Sequence, residues 1–361
     1  MPAHVERQIH VQETLACPCG DYIVTASAPK AIEGGHYGPN MMAHVVTAKC
    51  CDSLPFYRVE RQFKRQGFDL SRSTLCSLFH QAANTLEPLV KRMKALVPDY
   101  DLVLADETPI PIFSLEKTRK GYIWTFITSD LIYYHYSASR SGETPLKIIG
   151  KSTGALVADA YSGYNQVCTP ENRARAGCWA HVRRKFFEAQ RDYPVEADYA
   201  IQQILGLYKT EYEAAAENIR AGPAHLALRQ SKSQPITIEL KDWLIDQEKK
   251  LLPKSPIGKA IAYALNNWDA LTLFLNNAKV PIDNNASERA LRIVAIGRKN
   301  YLFAGNDEAA SNLAGLYSLV ATCELHEINP ERYLSDVLIT VHSHPQKDID
   351  QLLPHVWKTI G

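Results

Sequence analysis

The spacing of apolar positions changes along the chain, and the changes divide it. Up to residue 50 few stretches are periodic, and the Gly34-Gly35 pair adds to the expectation of irregular structure. From Leu54, LPFYRVERQFKRQGF sets Phe56, Val59 and Phe63 three and four residues apart and stops at Gly67, which predicts an amphipathic helix. A second helix follows, opened by Ser71 or Ser73, with Leu75, Leu78, Phe79, Ala82 and Leu86 on one stripe. The pair reads as helix-turn-helix-like. Between Pro55 and Ala95 eight basic residues stand against three acidic ones, the charge of a DNA-facing surface or, equally, of a solvated helix face.

From Asp101 the period shortens and β-branched and aromatic residues accumulate, which predicts strands. DLVLADETPIPI reads as a strand ending near Asp106; GYIWTFITSD and LIYYHYSASR read as a hairpin turning at Ser129-Asp130. A helix from about Gly142 to Gly150 leads to GALVADAYSGYN, a buried strand ending near Asp159, and AGCWAHVRRKFFEAQR reads as a short strand running into a basic helix. Three antiparallel strands beside later parallel ones make a mixed α/β layer. From about Tyr193 to Val280 the pattern is helical, with breaks at Gly222-Pro223, Pro253 and Pro256, and it reads as a helical insertion. Helices are then expected from Asn284 or Asn285, over DEAASNLAGLYSLVATCELH, and from Asn329-Pro330 to about His342.

Composition sets limits on this picture. The 361 residues are 46% hydrophobic and 22% charged, with 40 basic and 39 acidic side chains, which excludes a disordered, collagen-like or coiled-coil chain and leaves room for two or three domains. Eight cysteines are too few for a disulfide scaffold. The start lacks a basic segment followed by an apolar run, and no long uncharged apolar stretch follows, so a cytoplasmic protein is expected. A net charge of +1 means that any nucleic-acid surface must come from local clusters.

Three carboxylates stand where a mixed sheet would gather them. Asp106 and Asp159 each follow an apolar run, LVLA and ALVA, at an expected strand end, the edge where ligands bind in such sheets. Were those strands neighbours, the two acids would share a divalent cation, and Glu288, in the first turn of its helix, would complete an all-oxygen site for magnesium or manganese. Two such ions suit in-line phosphoryl displacement. Each acid also has a plain structural reading: a turn before Thr108-Pro109, an Asx-turn at Asp159, and a capping box formed by Glu288 three residues after Asn285.

The segments ADETPIPI, DAYSGYN, GCWAHVRRKFFEA and IDNNASERALRIVAIGRKNYLFAGNDEAA, in this order, closely resemble those of transposases of the insertion sequence 66 family. GPNMMAHVVTAK, LPFYRVERQFKRQGFDLSRSTL and NPERYLSDVLITVHSHP extend the resemblance from about Cys17 to Trp357. It implies a ribonuclease-H-like catalytic core and a DDE triad on Asp106, Asp159 and Glu288, separated by 53 and 129 residues. It further implies double-stranded DNA as partner (transposon ends and target), two magnesium or manganese ions, a homo-oligomer on paired ends, accessory proteins of the element, and association with the nucleoid when DNA-bound. On this reading residues 1–50 are a remnant of a zinc- and DNA-binding region, 51–100 a helix-turn-helix-like segment, and 101–192 the first part of the core. Residues 193–281 are the insertion, 282–326 the end of the core and 327–361 a C-terminal helical segment.

Two basic strips suit the phosphate backbone: Arg183, Arg184 and Lys185 after Cys178-x-x-His181, and Arg289, Arg292, Arg298 and Lys299, a run that no acid interrupts. A solvated face explains either strip as well. Cys178 and His181 have half the spacing of a zinc site, but without a second pair nearby a packed strand-to-helix junction is the expectation. Relatives carry a longer amino-terminal region with a zinc-binding segment; here Cys17-Pro18-Cys19-Gly20 remains, and zinc is not expected even with His4, His10, Cys50 and Cys51 counted as possible ligands. The sequence therefore predicts a transposase that cleaves and joins DNA strands. Two alternatives remain: a shortened, inactive DNA-binding remnant that represses transposition, and a metal-dependent nuclease without strand transfer.

Overall fold

The computed structural model describes residues 5, 6, 8, 9, 11–26 and 35–357; His4, His10 and Gly34, weighed above, lie outside them. A small exposed hairpin, β1 (Thr14–Ala16) and β2 (Ile23–Thr25), carries Cys17 and Cys19 at its turn. Then come four helices: α1 (Pro39–Cys50), α2 (Phe56–Arg65), α3 (Arg72–Thr85) and α4 (Glu87–Leu96). Helix α1 lies in the part of the chain expected to be irregular. Met42, Ala43, Val45, Val46, Ala48 and Cys50 are all buried, so the helix meets protein on several sides and lacks the polar face that an amphipathic period needs. In the α2–α3 pair four exposed cations, Arg58, Arg61, Lys64 and Arg65, sit on α2 and one, Arg72, on α3, which is capped by the Ser71 hydroxyl and turns Leu75, Leu78, Phe79 and Ala82 into the core.

The sheet follows: β3 (Leu102–Ile112), β4 (Arg119–Ile127), β5 (Ile132–Ser137), then α5 (Glu143–Ile149), β6 (Gly154–Val157) and β7 (Arg173–Ala176). Spatial order is β5-β4-β3-β6-β7, with β3, β4 and β5 antiparallel and β6 and β7 added parallel to β3. The β4–β5 hairpin turns at Ser129-Asp130 as expected, held by the Thr128 hydroxyl, which accepts from the Leu131 amide. One expectation fails: β3 does not end near Asp106 but pairs with β4 as far as Ile112. Pro109 and Pro111 suggest a stop, since proline donates no ladder hydrogen bond. Both are accommodated because the Pro111 carbonyl, and with it the proline nitrogen, faces away from β4, toward the amide of Ala304 at 2.9 Å.

Beyond the sheet run α6 (Trp179–Ala189), α7 (Pro194–Ala216), α8 (Pro223–Leu228), α9 (Gln234–Lys250), α10 (Pro256–Asn266) and α11 (Trp268–Thr272). The chain closes with α12 (Asn285–Tyr301), α13 (Asp307–Leu325) and α14 (Pro330–Thr340). Alternate residues of β3 serve two cores. Val103 and Ala105 join the larger, built with α1, α3, α4, α13 and α14; Leu104 joins Ala155, Val157 and Ala176 beneath α6, α7, α9, α10 and α11. The insertion is thus packed onto the sheet. Its internal tie is Arg229, 1% exposed, which pairs through two nitrogens with Glu211 at 2.7 and 2.8 Å and donates to the carbonyls of Phe274 and Val280, each at 3.0 Å. Among the described residues no helix is long and apolar enough to cross a membrane.

Candidate active site

The β3–β6 register brings two acids side by side. Leu104 pairs with Val157, and two residues further on each chain stand Asp106 and Asp159. Neighbouring strands lie about 4.8 Å apart, so the two carboxylates share one edge of the sheet. Asp159 is past the end of β6, where its Oδ1 accepts from the Tyr161 amide at 2.9 Å, an Asx-turn; its backbone carbonyl accepts from Arg175. Asp106 accepts from the Glu107 amide at 2.8 Å. Burial, followed by the charges of Glu107, Asp159 and Glu288, pushes the Asp106 carboxyl up to about 7, against the one lowering influence of that amide.

Glu107, on the opposite face of β3, is a buried carboxylate that the sequence did not single out. Its side chain is 1% exposed and is held by Arg140 at 2.5 Å and by the Tyr164 hydroxyl at 2.7 Å. Burial raises its acid above the usual range, and the bonds from Tyr164 and Arg140 oppose that rise. The Arg140 guanidinium also lies over the Tyr161 ring, 4.1 Å from its centre. Glu107, Arg140, Tyr161 and Tyr164 thus form a scaffold that links β3 to the segment carrying Asp159. The only sequence signal for it was the adjacency of two acids, and nothing local pointed to Arg140 as the partner.

Glu288 reaches the same region from α12. Asn284, 1% exposed, donates through Nδ2 to the Ala105 carbonyl at 2.8 Å and accepts from the Ser287 hydroxyl at 2.8 Å, which pins the start of α12 to the residue before Asp106. The capping-box reading fails here, because the Asn285 amide is satisfied by Asp283 at 3.1 Å. Glu288 faces α6 instead: Arg184 Nη2 is 3.4 Å and His181 Nε2 is 3.9 Å from its Oε1. Cys178, 2% exposed, accepts from the Asn284 amide through Sγ at 3.2 Å, and burial pushes its thiol up to about 11. Cys178 is therefore a buried joint between α6 and α12, and His181 is a neighbour of Glu288 whose Nδ1 is buried without a hydrogen-bond partner.

Asp106, Asp159 and Glu288 are close enough to perturb Asp106 electrostatically. They do not close on a point, since among the described residues no three His, Cys, Asp or Glu side chains gather tightly enough to hold a metal ion. The basic strips divide. Arg184 is turned to Glu288, Lys185 lies over the Tyr263 ring at 4.6 Å, and Arg298 donates to the Thr108 hydroxyl at 2.9 Å and the Pro109 carbonyl at 2.6 Å. Arg183, Arg289, Arg292 and Lys299 are exposed and make no ion pair among the described residues.

Sequence comparison supplies what geometry alone does not. The family described as "Transposase IS66 family" matches residues 34–312, and the "IS66 C-terminal element" matches residues 318–355. The chain belongs to the IS66 transposase family. Three uncharacterized proteins of Sinorhizobium fredii (strain NBRC 101917 / NGR234) are similar to it. Protein y4hP is 33% identical, over 96% of this chain and 67% of its own length. Protein y4qI is 30% identical, over 94% and 66%, and y4jD 28% identical, over 99% and 74%. This IS66 member thus spans about two thirds to three quarters of those relatives. The first family match contains all three acids, the sheet and the helical insertion, and the second contains α14.

Proposed function

We propose that this chain is a DDE transposase whose Asp106, Asp159 and Glu288 form the site for DNA strand cleavage and strand transfer. The observation that carries this reading is the register: two acids, each two residues past the paired Leu104 and Val157, with a third acid on a helix tied to Ala105. The sheet order, with three antiparallel strands followed by two parallel ones, supports a ribonuclease-H-like core.

The residues suit a hard divalent cation. Their donors are all carboxylate oxygens, and the raised Asp106 acid reflects burial with negative charge crowded around it. Asp106 and Asp159 would hold magnesium or manganese, with Glu288 joining them on leaving Arg184; bound there, the ions supply charge neutralisation and a nucleophile at neutral pH. Everything else belongs to the protein. Asn284 and Cys178 hold the start of α12 against β3 and α6, and Arg140 and Tyr164 keep Glu107 fixed behind Asp106. Arg183 on α6, with Arg289, Arg292 and Lys299 on α12, offers positive charge to the phosphate backbone. In the first step water attacks phosphorus in line and the P–O3′ bond breaks, leaving a 3′ hydroxyl. In the second that hydroxyl attacks a target phosphodiester and displaces the target's own 3′ oxygen.

The test is conversion of labelled duplexes carrying the element's terminal repeats, with magnesium, by the protein and by its Asp106→Asn and Glu288→Gln variants. Nicked and joined products are expected from the parent protein and from neither variant. Joined product from either variant removes the triad. DNA binding without any metal-dependent cleavage leaves the chain as a binding remnant, and cleavage without joining leaves it as a nuclease.

A further inference from the structure

Strand β3 continues six residues beyond Asp106, to Ile112, and the chain then turns back into β4 at Arg119. This turn carries Phe113 and Leu115, 46% and 95% exposed, and beside it the end of α12 presents Leu302 and Phe303, 63% and 41% exposed. The Phe113 and Phe303 rings are 5.4 Å apart. Backbone bonds lock the two segments together: the Phe113 amide donates to the Ala304 carbonyl at 2.8 Å, and the Ala304 amide to the Pro111 carbonyl at 2.9 Å. Leu302 sits at φ +66°, a conformation that a bulky residue rarely adopts, so the fold sustains local strain here while leaving the side chain in solvent.

Around this apolar tip the exposed charges are four cations and three acids. Lys117, Lys120 and Lys299 are exposed and make no ion pair among the described residues, whereas Arg119 is paired with Asp307 at 2.5 Å; Glu116 and Glu308 are the exposed acids nearby. Asn300 Nδ2 donates to the Ser53 carbonyl at 3.1 Å, two residues before Pro55 and α2, whose Arg58, Arg61, Lys64 and Arg65 are exposed. An exposed apolar centre flanked by three lysines that make no ion pair among the described residues matches the wedge of a protein that unstacks duplex DNA while holding its phosphates. A second copy of this chain is a poorer fit, because a two-fold contact would bring the same cations face to face.

We propose that the Phe113–Phe303 tip is a wedge that enters the base stack of the duplex bound at Asp106. Six extended residues span about 20 Å, and a duplex advances about 3.4 Å per base pair, so a duplex lying along β3 would meet the wedge about six base pairs from the phosphodiester that is cut. The inference rests on the proposed function, in that the duplex is the one held at the acids.

The experiment uses the full chain without metal and duplexes of the element's terminal repeats with a thymine at each successive position, oxidised by permanganate. Hyperreactive thymines are expected about six base pairs from the cleavage point. They should be lost in a Phe113→Ala/Phe303→Ala variant and reduced in Leu115→Ser, which alters a side chain that is 95% exposed. Affinity in the double variant should fall about tenfold, as expected for lost base stacking. A bound duplex with uniform permanganate reactivity overturns the proposal, as does unchanged hyperreactivity in variants that keep the parent's melting temperature. Loss of a dimer in the double variant, measured by light scattering, with reactivity unaltered, overturns it in favour of a contact between copies. Magnesium-dependent nicking is read separately: nicking without unstacking removes the wedge alone, and unstacking without nicking removes the catalytic reading alone.

Discussion

Replacing Asp106 with Asn removes a charge that the fold holds at a disadvantage. Burial and the charges of Glu107, Asp159 and Glu288 raise its acid from 3.8 to about 7. That separation corresponds to about 4 kcal/mol at about 1.4 kcal/mol per pH unit, an upper bound because the carboxyl keeps some contact with water. The native state binds this proton more tightly than the unfolded chain does. Stability from this group is therefore full below pH 4, falls as pH rises from about 4 to 7, and stays low above that range. Asparagine has nearly the same shape and no charge. In chelator at pH 8 the variant should be more stable than the parent by about 1–3 kcal/mol, or roughly 2–4 °C in melting midpoint for a chain of this length. At pH 4 the two should melt together. Magnesium should raise the parent's midpoint and leave the variant's nearly unchanged, which narrows the gap. Circular-dichroism melts at pH 4, 6 and 8, with and without magnesium, measure all of this. No gap at pH 8, or a gap of equal size at pH 4 and pH 8, would refute the electrostatic reasoning, because the penalty must vanish once the native carboxyl is protonated.

Arg140→Ala strands the Glu107 carboxylate with only the Tyr164 hydroxyl and should destabilise the protein by about 3 kcal/mol at pH 7; adding Glu107→Gln should recover part of that loss, read by urea unfolding. Arg173 is fully buried and donates to Ser152 Oγ and to the carbonyls of Pro98, Tyr100 and Ala155, so Arg173→Met should cost about 2–4 kcal/mol in the same assay by leaving those acceptors unpaired. Asn284→Ala loses the bond to the Ala105 carbonyl and should lower stability by about 1–2 kcal/mol. Its larger expected effect is on strand transfer, where displacement of Glu288 should reduce the rate by about 100-fold, and a rate within twofold of the parent's would count against the role given to that bond.

Helices α2, α3 and α12 and the β4–β5 hairpin were legible in the chain because the period of apolar positions is local, whereas α13, buried without a break from Leu313 to Cys323, was read as a helix without such a period. Asp106, Asp159 and Glu288 were candidates for a related reason: each is flanked by a short distinctive segment, and the family resemblance rests on those segments. Helix α1 was not legible, since burial on several sides erases the polar face that reveals a helix. The end of β3 was misjudged because Pro109 and Pro111 stop pairing only on the side to which their nitrogens point, and that side is set by the partner strand.

The sequence by itself determined most of the elements from β3 onward, their order and the short apolar runs that lead into Asp106 and Asp159. Only the tertiary structure decided that β6 lies beside β3 with Leu104 opposite Val157, which aligns acids 53 residues apart. It also decided that Asn284 bonds Ala105, that Arg140 meets Glu107, and that Phe113 and Phe303 share one exposed tip. Register between distant strands and the facing of a helix come from the packing of both partners at once, and no local pattern in either segment carries that information.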